Sequence, residues 1–228
     1  MTEGKKWKVE CVIYDCDGVL FDSLGANNRL YNHIAESMGR GTLNDSELHF
    51  CHTHTVYESI AHLFRDDAGR ERQALDFLKN HVDFKDYIVY LKMEPHLTDT
   101  LTRLKAKGIP LAISTNRTTS MRHIMERYNL WPYFDMVVTA LYAVNPADEP
   151  PAGRMLQAKP KPDPEAVGKI IETLGVRQDA TLYVGDSEID MGTARSSGVK
   201  FISYKNTGLE ADGSIYDHLD LLDFLADG

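Results

Sequence analysis

The chain has 228 residues, 43% of them hydrophobic and 26% charged, and carries a net charge of −9. That length accommodates one or two domains, and that composition excludes a wholly disordered chain. An excess of 34 carboxylates over 25 lysines and arginines speaks against nucleic acid held by backbone charge, yet leaves room for a small anion in one local pocket.

The N-terminal MTEGKKWKVE has charges with no apolar stretch behind them, so it does not read as a signal peptide. Apolar runs elsewhere fall far short of the roughly 20 residues that span a bilayer. Cys11, Cys16 and Cys51 are an odd, sparse set without zinc-finger spacing, and read as free thiols of a cytoplasmic protein.

In chain order, residues 9–14 form a short strand that stops at acidic residues and a glycine. The stretch 97–107 has apolar residues at Leu97, Leu101 and Leu104, a helical spacing, and stops at Gly108. Residues 109–113 are the next strand, 118–128 a helix and 136–138 a strand. A helix over 163–174 closes at Gly175, where a left-handed conformation is cheap. A strand at 181–184, a helix at 188–197 stopped by Gly198, and a strand at 199–203 complete the series. Strands alternating with helices predict an α/β fold, a Rossmann-like doubly wound parallel sheet.

Residues 23–92 break that rhythm. Leu30, Ile34 and Met38, then Val56, Ile60, Leu63 and Phe64, then Leu75, Leu78 and Val82, recur at helical spacing with no strand between. The expected organisation is a catalytic core of 1–22 and 93–228, with 23–92 inserted as a smaller helical domain.

In open α/β sheets ligands lie outside the carboxyl ends of the strands. The segments there are Asp15-Cys16-Asp17-Gly18, Ser114-Thr115-Asn116, Lys159-Pro160-Lys161-Pro162-Asp163-Pro164 and Gly185-Asp186-Ser187-Glu188-Ile189-Asp190. Crowded carboxylates repel unless a proton or cation lies between them. Oxygen-only ligands favour a hard ion such as Mg²⁺, which keeps waters and takes a phosphate. A hydroxyl at Thr115 and an ammonium at Lys159 suit a phosphoryl group. One aspartate of the Asp-x-Asp turn can then act as nucleophile and the other as general acid and base.

The run Asp15-Cys16-Asp17-Gly18-Val19-Leu20-Phe21-Asp22-Ser23 resembles the first motif of the haloacid dehalogenase-like hydrolases, in their phosphoglycolate phosphatase-like branch, and three further motifs follow in order. The resemblance implies a Mg²⁺-dependent phosphatase acting on a small phosphomonoester, phosphoglycolate-like or a sugar phosphate, through an aspartyl-phosphate. It implies Asp15 as nucleophile and metal ligand, and Asp17 as general acid and base with its carbonyl on the metal. It implies Thr115, Asn116 and Lys159 as phosphate-binding residues, with Lys159 also orienting the nucleophile. Asp186 is implied as a direct metal ligand, and Asp190, one turn later, as a member of the metal set acting through a water or Ser187. The acid at Asp17 disfavours the superfamily's dehalogenases, which lack it, and its metal ATPases, which carry threonine there. A phosphomutase or phosphotransferase on the same core, and a catalytically idle binding protein, stay open as alternatives.

By the same resemblance, the insertion is a mobile cap, with Asp22 and Ser23 at its hinge or helix start. The segment 49–54 (HFCHTH) invites a zinc reading but lacks a second ligand cluster, and polar loop and helix start are the simpler account. It falls where relatives carry a substrate-specificity loop, so His52 or His54 is expected to contact the leaving group. Residues 145–157, rich in Pro and Ala, are expected to be a rim element or a self-association segment of a monomer or homodimer. His96 stands where relatives usually have glycine after Pro95.

Overall fold

The computed structural model describes residues 6–118, 120–141 and 154–226. Its main sheet is built from β1 (Cys11–Tyr14), β4 (Leu111–Thr115), β5 (Met136–Ala140), β6 (Met155–Ala158), β7 (Thr181–Gly185), β8 (Lys200–Tyr204) and β9 (Gly213–Ile215). A small hairpin of β2 (Phe21–Asp22) and β3 (Lys92–Met93) stands apart from it. Every neighbouring pair in the seven-stranded sheet is parallel, in the order β6-β5-β4-β1-β7-β8-β9. The order runs outward from β1 in both directions, so the sheet is doubly wound and its switch point lies at β1.

Side chains alternate across a strand, and both faces of this sheet are dry. Val12 and Tyr14 of β1 join Leu111, Ile113, Val137 and Leu182 on one face. That face is covered by α6 (Leu97–Ala106) through Leu97, Leu101 and Leu104, and by α7 (Ser120–Arg127) through Met121 and Ile124. Cys11 and Ile13 point the other way, among Ala112, Val138 and Tyr183. There α8 (Glu165–Leu174) supplies Val167 and Ile170, and α9 (Glu188–Ser196) supplies Ala194. Gly175 ends α8 at φ 65, the left-handed cap read from its position. Cys11, Cys16 and Cys51 are buried free thiols.

Between β2 and β3 run five helices: α1 (Leu24–Ser37), α2 (Asp45–Thr53), α3 (Val56–Leu63), α4 (Ala68–His81) and α5 (Lys85–Ile88). Their starts are written locally. Asn44 with Glu47, and Thr55 with Glu58, form reciprocal capping boxes. Their apolar stripes close on a cluster of their own that includes Leu30, Ile34, Ile60, Leu63, Phe64 and Leu78. The chain leaves and re-enters through the hairpin, where Phe21 pairs with Met93 and Asp22 with Lys92, and Ser23 is the N-cap residue of α1. His96 sits at φ 55, a left-handed position where glycine would be unstrained.

Two differences from the sequence reading stand out. Residues 155–157, read as the end of a loop, form with Ala158 the edge strand β6; its signal is weak for a physical reason, since a short edge strand such as MLQA leaves Leu156 37% exposed and lacks clean alternation. Most of the rest of 145–157 lies outside the described residues. The strand β9 (GSI) contains a glycine and has only three residues, too few for a periodic pattern. Among the described residues, no helix is long and apolar enough to cross a membrane.

Candidate active site

The carboxyl ends of β1, β4 and β7 converge at the switch point. Asp15 follows β1 directly, Thr115 is the last residue of β4, and Asp186 follows β7. Gly18 at φ +75 turns the chain back beneath Asp186, and a Cβ there would lie 1.9 Å from Asp186 Oδ2. Gly185 is equally confined: its Cβ would meet Asp190 Cβ at 2.3 Å. Both glycines permit carboxylates to approach the backbone closely.

At the centre is Lys161. Its ammonium donates to Asp15 Oδ1 at 2.7 Å and to Asp190 Oδ1 at 2.6 Å, with its side chain only 6% exposed. Burial works against its charge, but Asp15 and Asp190 raise its pKa well above the ordinary lysine value. Asn116 Oδ1 accepts from the Lys161 backbone N–H at 2.8 Å and so fixes the segment from the end of β4. Lys159, the lysine singled out from sequence, does not join this cluster. Its side chain is 67% exposed, 3.6 Å from Asp163 Oδ2, at the sheet edge after β6. The run contains two overlapping Lys-Pro-x-Pro frames, and the second, Lys161 to Pro164, abuts the start of α8. What separates the two lysines is three-dimensional: Lys161 is buried with its backbone N–H held by Asn116, whereas Lys159 lies exposed at the edge-strand exit.

Asp190 is saturated with donors. Its Oδ2 accepts from Ser187 Oγ at 2.6 Å and from the Ser187 and Asp186 backbone N–H groups, while Tyr183 Oη lies 3.2 Å from Oδ1. Ser187 and Asp190 are also the capping box of α9, so helix initiation itself orients this carboxylate. Asp186 is different: among the described residues nothing donates to its carboxylate. Burial first, then the charges of Asp190 and Asp15, push its pKa up to about 8. Burial likewise pushes Asp15 up to about 7 against the opposing charge of Lys161. Oxygen atoms of Asp15, Asp186 and Asp190 lie within 4.8 Å of one another. Oxygen donors at that spacing, one of them lacking any donor, fit a hard divalent cation.

On the opposite side, Asp17 meets Arg117. Nη2 donates to Asp17 Oδ1 at 2.6 Å. Burial raises the Asp17 pKa, but the guanidinium's charge and hydrogen bond outweigh it and hold the carboxyl below its usual value. The same Nη2 lies 3.2 Å from Asn27 Oδ1, and Asn27 Nδ2 lies 3.1 Å from His52 Nδ1. A polar chain thus runs from the sheet into α1 and α2. Sequence reasoning did not single out Arg117 or Asn27; for Arg117 the available signal was a cation directly after Thr115-Asn116.

Thr115, buried at the strand end, accepts from the Arg117 N–H at 3.1 Å. His52 and His54 both line the cleft between helices and sheet, with Asp15, Asp17, Thr115 and Lys161. They are not equivalent. His54 is stacked on Phe50 with centroids 3.8 Å apart and its Nδ1 lies 3.0 Å from the Phe50 carbonyl, whereas His52 is the one connected toward Asp17. Cys51 packs inside the helical cluster and His49 is exposed, an arrangement that separates the four residues a zinc site in this segment would need.

Comparison with known proteins follows the same lines. The sequence profile of the haloacid dehalogenase-like hydrolases matches residues 12–204. Phosphoglycolate phosphatase of Rhodobacter capsulatus is 27% identical over 216 residues, covering 88% of each chain. That of Aquifex aeolicus is 28% identical over 197 residues, covering 83% of this chain and 81% of its own. Among solved structures, a hydrolase of the same superfamily, subfamily IA, from Geobacter sulfurreducens superposes with a TM-score of 0.73 at 33% identity, covering 99% of this chain and all of its own. A haloacid dehalogenase-like family protein from Streptococcus pneumoniae, 17% identical, matches in fold with a TM-score of 0.73 over 95% of this chain and 98% of its own.

Proposed function

The chain belongs to the haloacid dehalogenase-like hydrolases, and from that premise we propose that it is a Mg²⁺-dependent phosphatase that cleaves a small phosphomonoester through an aspartyl-phosphate on Asp15. Phosphoglycolate is the first substrate to try, because the two curated relatives above bear that name. The observation that carries the reading is the buried Asp15–Lys161–Asp190 arrangement beside Asp186 and Asp17.

Asp15, Asp186 and the Asp17 carbonyl are the groups proposed to hold Mg²⁺, with Asp190 braced behind them by Ser187 and Lys161. When bound, the ion offsets negative charge on the phosphoryl oxygens. The remaining chemistry belongs to side chains. Asp15 attacks phosphorus in line while Lys161 keeps its carboxylate oriented and, with the Thr115 hydroxyl, meets the equatorial oxygens. As the phosphorus–oxygen ester bond breaks, Asp17 delivers a proton to the leaving oxygen. Asp17 takes up that proton when the negative charge of the bound phosphomonoester offsets the Arg117 charge that keeps it ionised in the free site. Asp17, now a carboxylate, takes a proton from water, which attacks the phosphorus and releases inorganic phosphate and the Asp15 carboxylate. The helical insertion 23–92 is proposed to act as a cap, closing over the first step and admitting water for the second.

Asp15→Asn is expected to abolish turnover of p-nitrophenyl phosphate, and removal of divalent metal with EDTA to do the same, with Mg²⁺ restoring it. Release of inorganic phosphate, rather than an isomerised sugar phosphate, separates hydrolysis from mutase chemistry. Robust activity surviving either treatment overturns the mechanism.

A further inference from the structure

We propose that Arg117 determines which leaving group the site accepts: its guanidinium is the docking point for an oxyanion carried on the alcohol portion of the phosphomonoester. This rests on the phosphatase reading above and adds to it a residue and a requirement on the substrate.

The position of Arg117 is set by the strand end. Its backbone N–H is tied to Thr115 Oγ1 at 3.1 Å, so the side chain starts beside the proposed phosphate site. From there it runs toward the helical insertion, not toward Lys161. Nη2 lies 2.6 Å from Asp17 Oδ1 and 3.2 Å from Asn27 Oδ1, and Nη1 makes a long 3.4 Å contact with Ser120 Oγ. The side chain is 13% exposed, and its Nε is buried without an acceptor.

Two cationic side chains, Lys161 and Arg117, are among the described residues lining the cleft. Lys161 lies between Asp15 and Asp190, on the side of the site proposed for the phosphoryl group. Arg117 is the cation on the other side of Asp17, and that side is fixed by the chemistry: the leaving oxygen must sit against Asp17 to receive its proton. A substituent on the carbon next to that oxygen therefore falls within reach of a guanidinium already touching Asp17. The guanidinium is a planar fork suited to two-point contact with a carboxylate or phosphate, which a lysine cannot reproduce. A buried donor with no acceptor is a group awaiting one. Asn27 of α1, itself joined to His52 of α2, holds Nη2 in place, so the subsite is completed by residues of the insertion. A carboxylate and a second phosphate share the required chemistry.

The test compares kcat and KM for 2-phosphoglycolate, which offers a carboxylate, glucose 1,6-bisphosphate, which offers a second phosphate, and 2-hydroxyethyl phosphate, which offers neither. The wild type is expected to favour one oxyanion substrate over 2-hydroxyethyl phosphate by about 30-fold or more in kcat/KM; the one favoured identifies the oxyanion. Arg117→Met is expected to reduce that preference at least about tenfold, chiefly through KM. Arg117→Lys, which keeps the charge without the fork, is expected to reduce it about threefold or more. Calorimetric titration of the same compounds into Asp15→Asn and Asp15→Asn/Arg117→Lys chains reads the preference without turnover. A preference unchanged in both Arg117 variants overturns the proposal, including the case where all substrates slow equally and Arg117 serves Asp17 alone. A wild type that hydrolyses all three without preference also overturns it, and leaves the phosphatase reading intact. A wild type that hydrolyses none, nor p-nitrophenyl phosphate, removes both.

Discussion

Lys161 puts one ammonium between two buried carboxylates, Asp15 at 2.7 Å and Asp190 at 2.6 Å. Buried charges persist only when paired, and removing the cation leaves two like charges facing each other in a dry site. Lys161→Ala is accordingly expected to lower kcat/KM for p-nitrophenyl phosphate by about 100-fold or more. Lys159 contacts Asp163 at 3.6 Å on the surface, an exposed pair of the kind worth about 1 kcal/mol or less. Lys159→Ala is expected to stay within about threefold of the wild type. Steady-state kinetics on the two variants, with a urea midpoint for each as a check of folding, settles which lysine serves the site. The convergence of Asp15, Asp17, Thr115 and Asp186 was legible because each lies at or just beyond the carboxyl end of a strand. The lysine was not, because both frames of a doubled Lys-Pro motif precede the same helix and only three-dimensional burial separates them. Arg117 escaped for another reason: a lone arginine after a strand has many uses, and its contact with Asp17 joins residues 100 positions apart.

At the scale of elements, the strands and helices with a clear period were legible, and those lacking one were not. The helices α6, α8 and α9 are bounded by glycines and carry regular apolar faces. The two-residue strands β2 and β3 and the three-residue β9 are held by their neighbours, so local sequence has little to say about them. Within the insertion, Thr55 begins α3 with its hydroxyl accepting from the Glu58 N–H at 3.1 Å and donating to Glu58 Oε2 at 2.6 Å. Thr55 directly follows His54, so this cap also ends the segment that lines the cleft. Thr55→Ala removes both hydrogen bonds, and loss of such a cap costs about 1 kcal/mol. The expected result is faster amide exchange across α3 and the preceding turn, with exchange in β1, β4 and β7 unaltered. Uniform acceleration over the whole chain would show instead that insertion and sheet open as one unit.

For the whole molecule, the rhythm of strand and helix specified a doubly wound sheet, but the C-terminal segment that ties the fold together has no periodic signature. His218 is its buried anchor. Its Nε2 donates to the Val19 carbonyl at 2.8 Å, just before the hairpin, and its ring stacks on Tyr204 at 4.6 Å and tilts against Tyr14. Burial lowers its pKa to about 4, against the raising influence of the Val19 carbonyl, Glu94 and Asp217, while Lys205 also lowers it. A folded pKa below the unfolded one means that the unfolded chain binds the extra proton. The stability from neutral His218 is therefore complete above about pH 6.5 and is lost as pH falls toward 4. Between pH 7 and 5 the loss is about 2 kcal/mol. His218→Gln, which keeps a donor for Val19 but cannot charge, is expected to lose that much less over the same interval, as read from urea unfolding at fixed Mg²⁺. Every other titrating group is common to both chains, so the difference between wild type and variant isolates the histidine. Identical pH slopes in the two proteins would mean that the C-terminal anchor opens before the rest of the fold and that acid reaches His218 without unfolding the sheet.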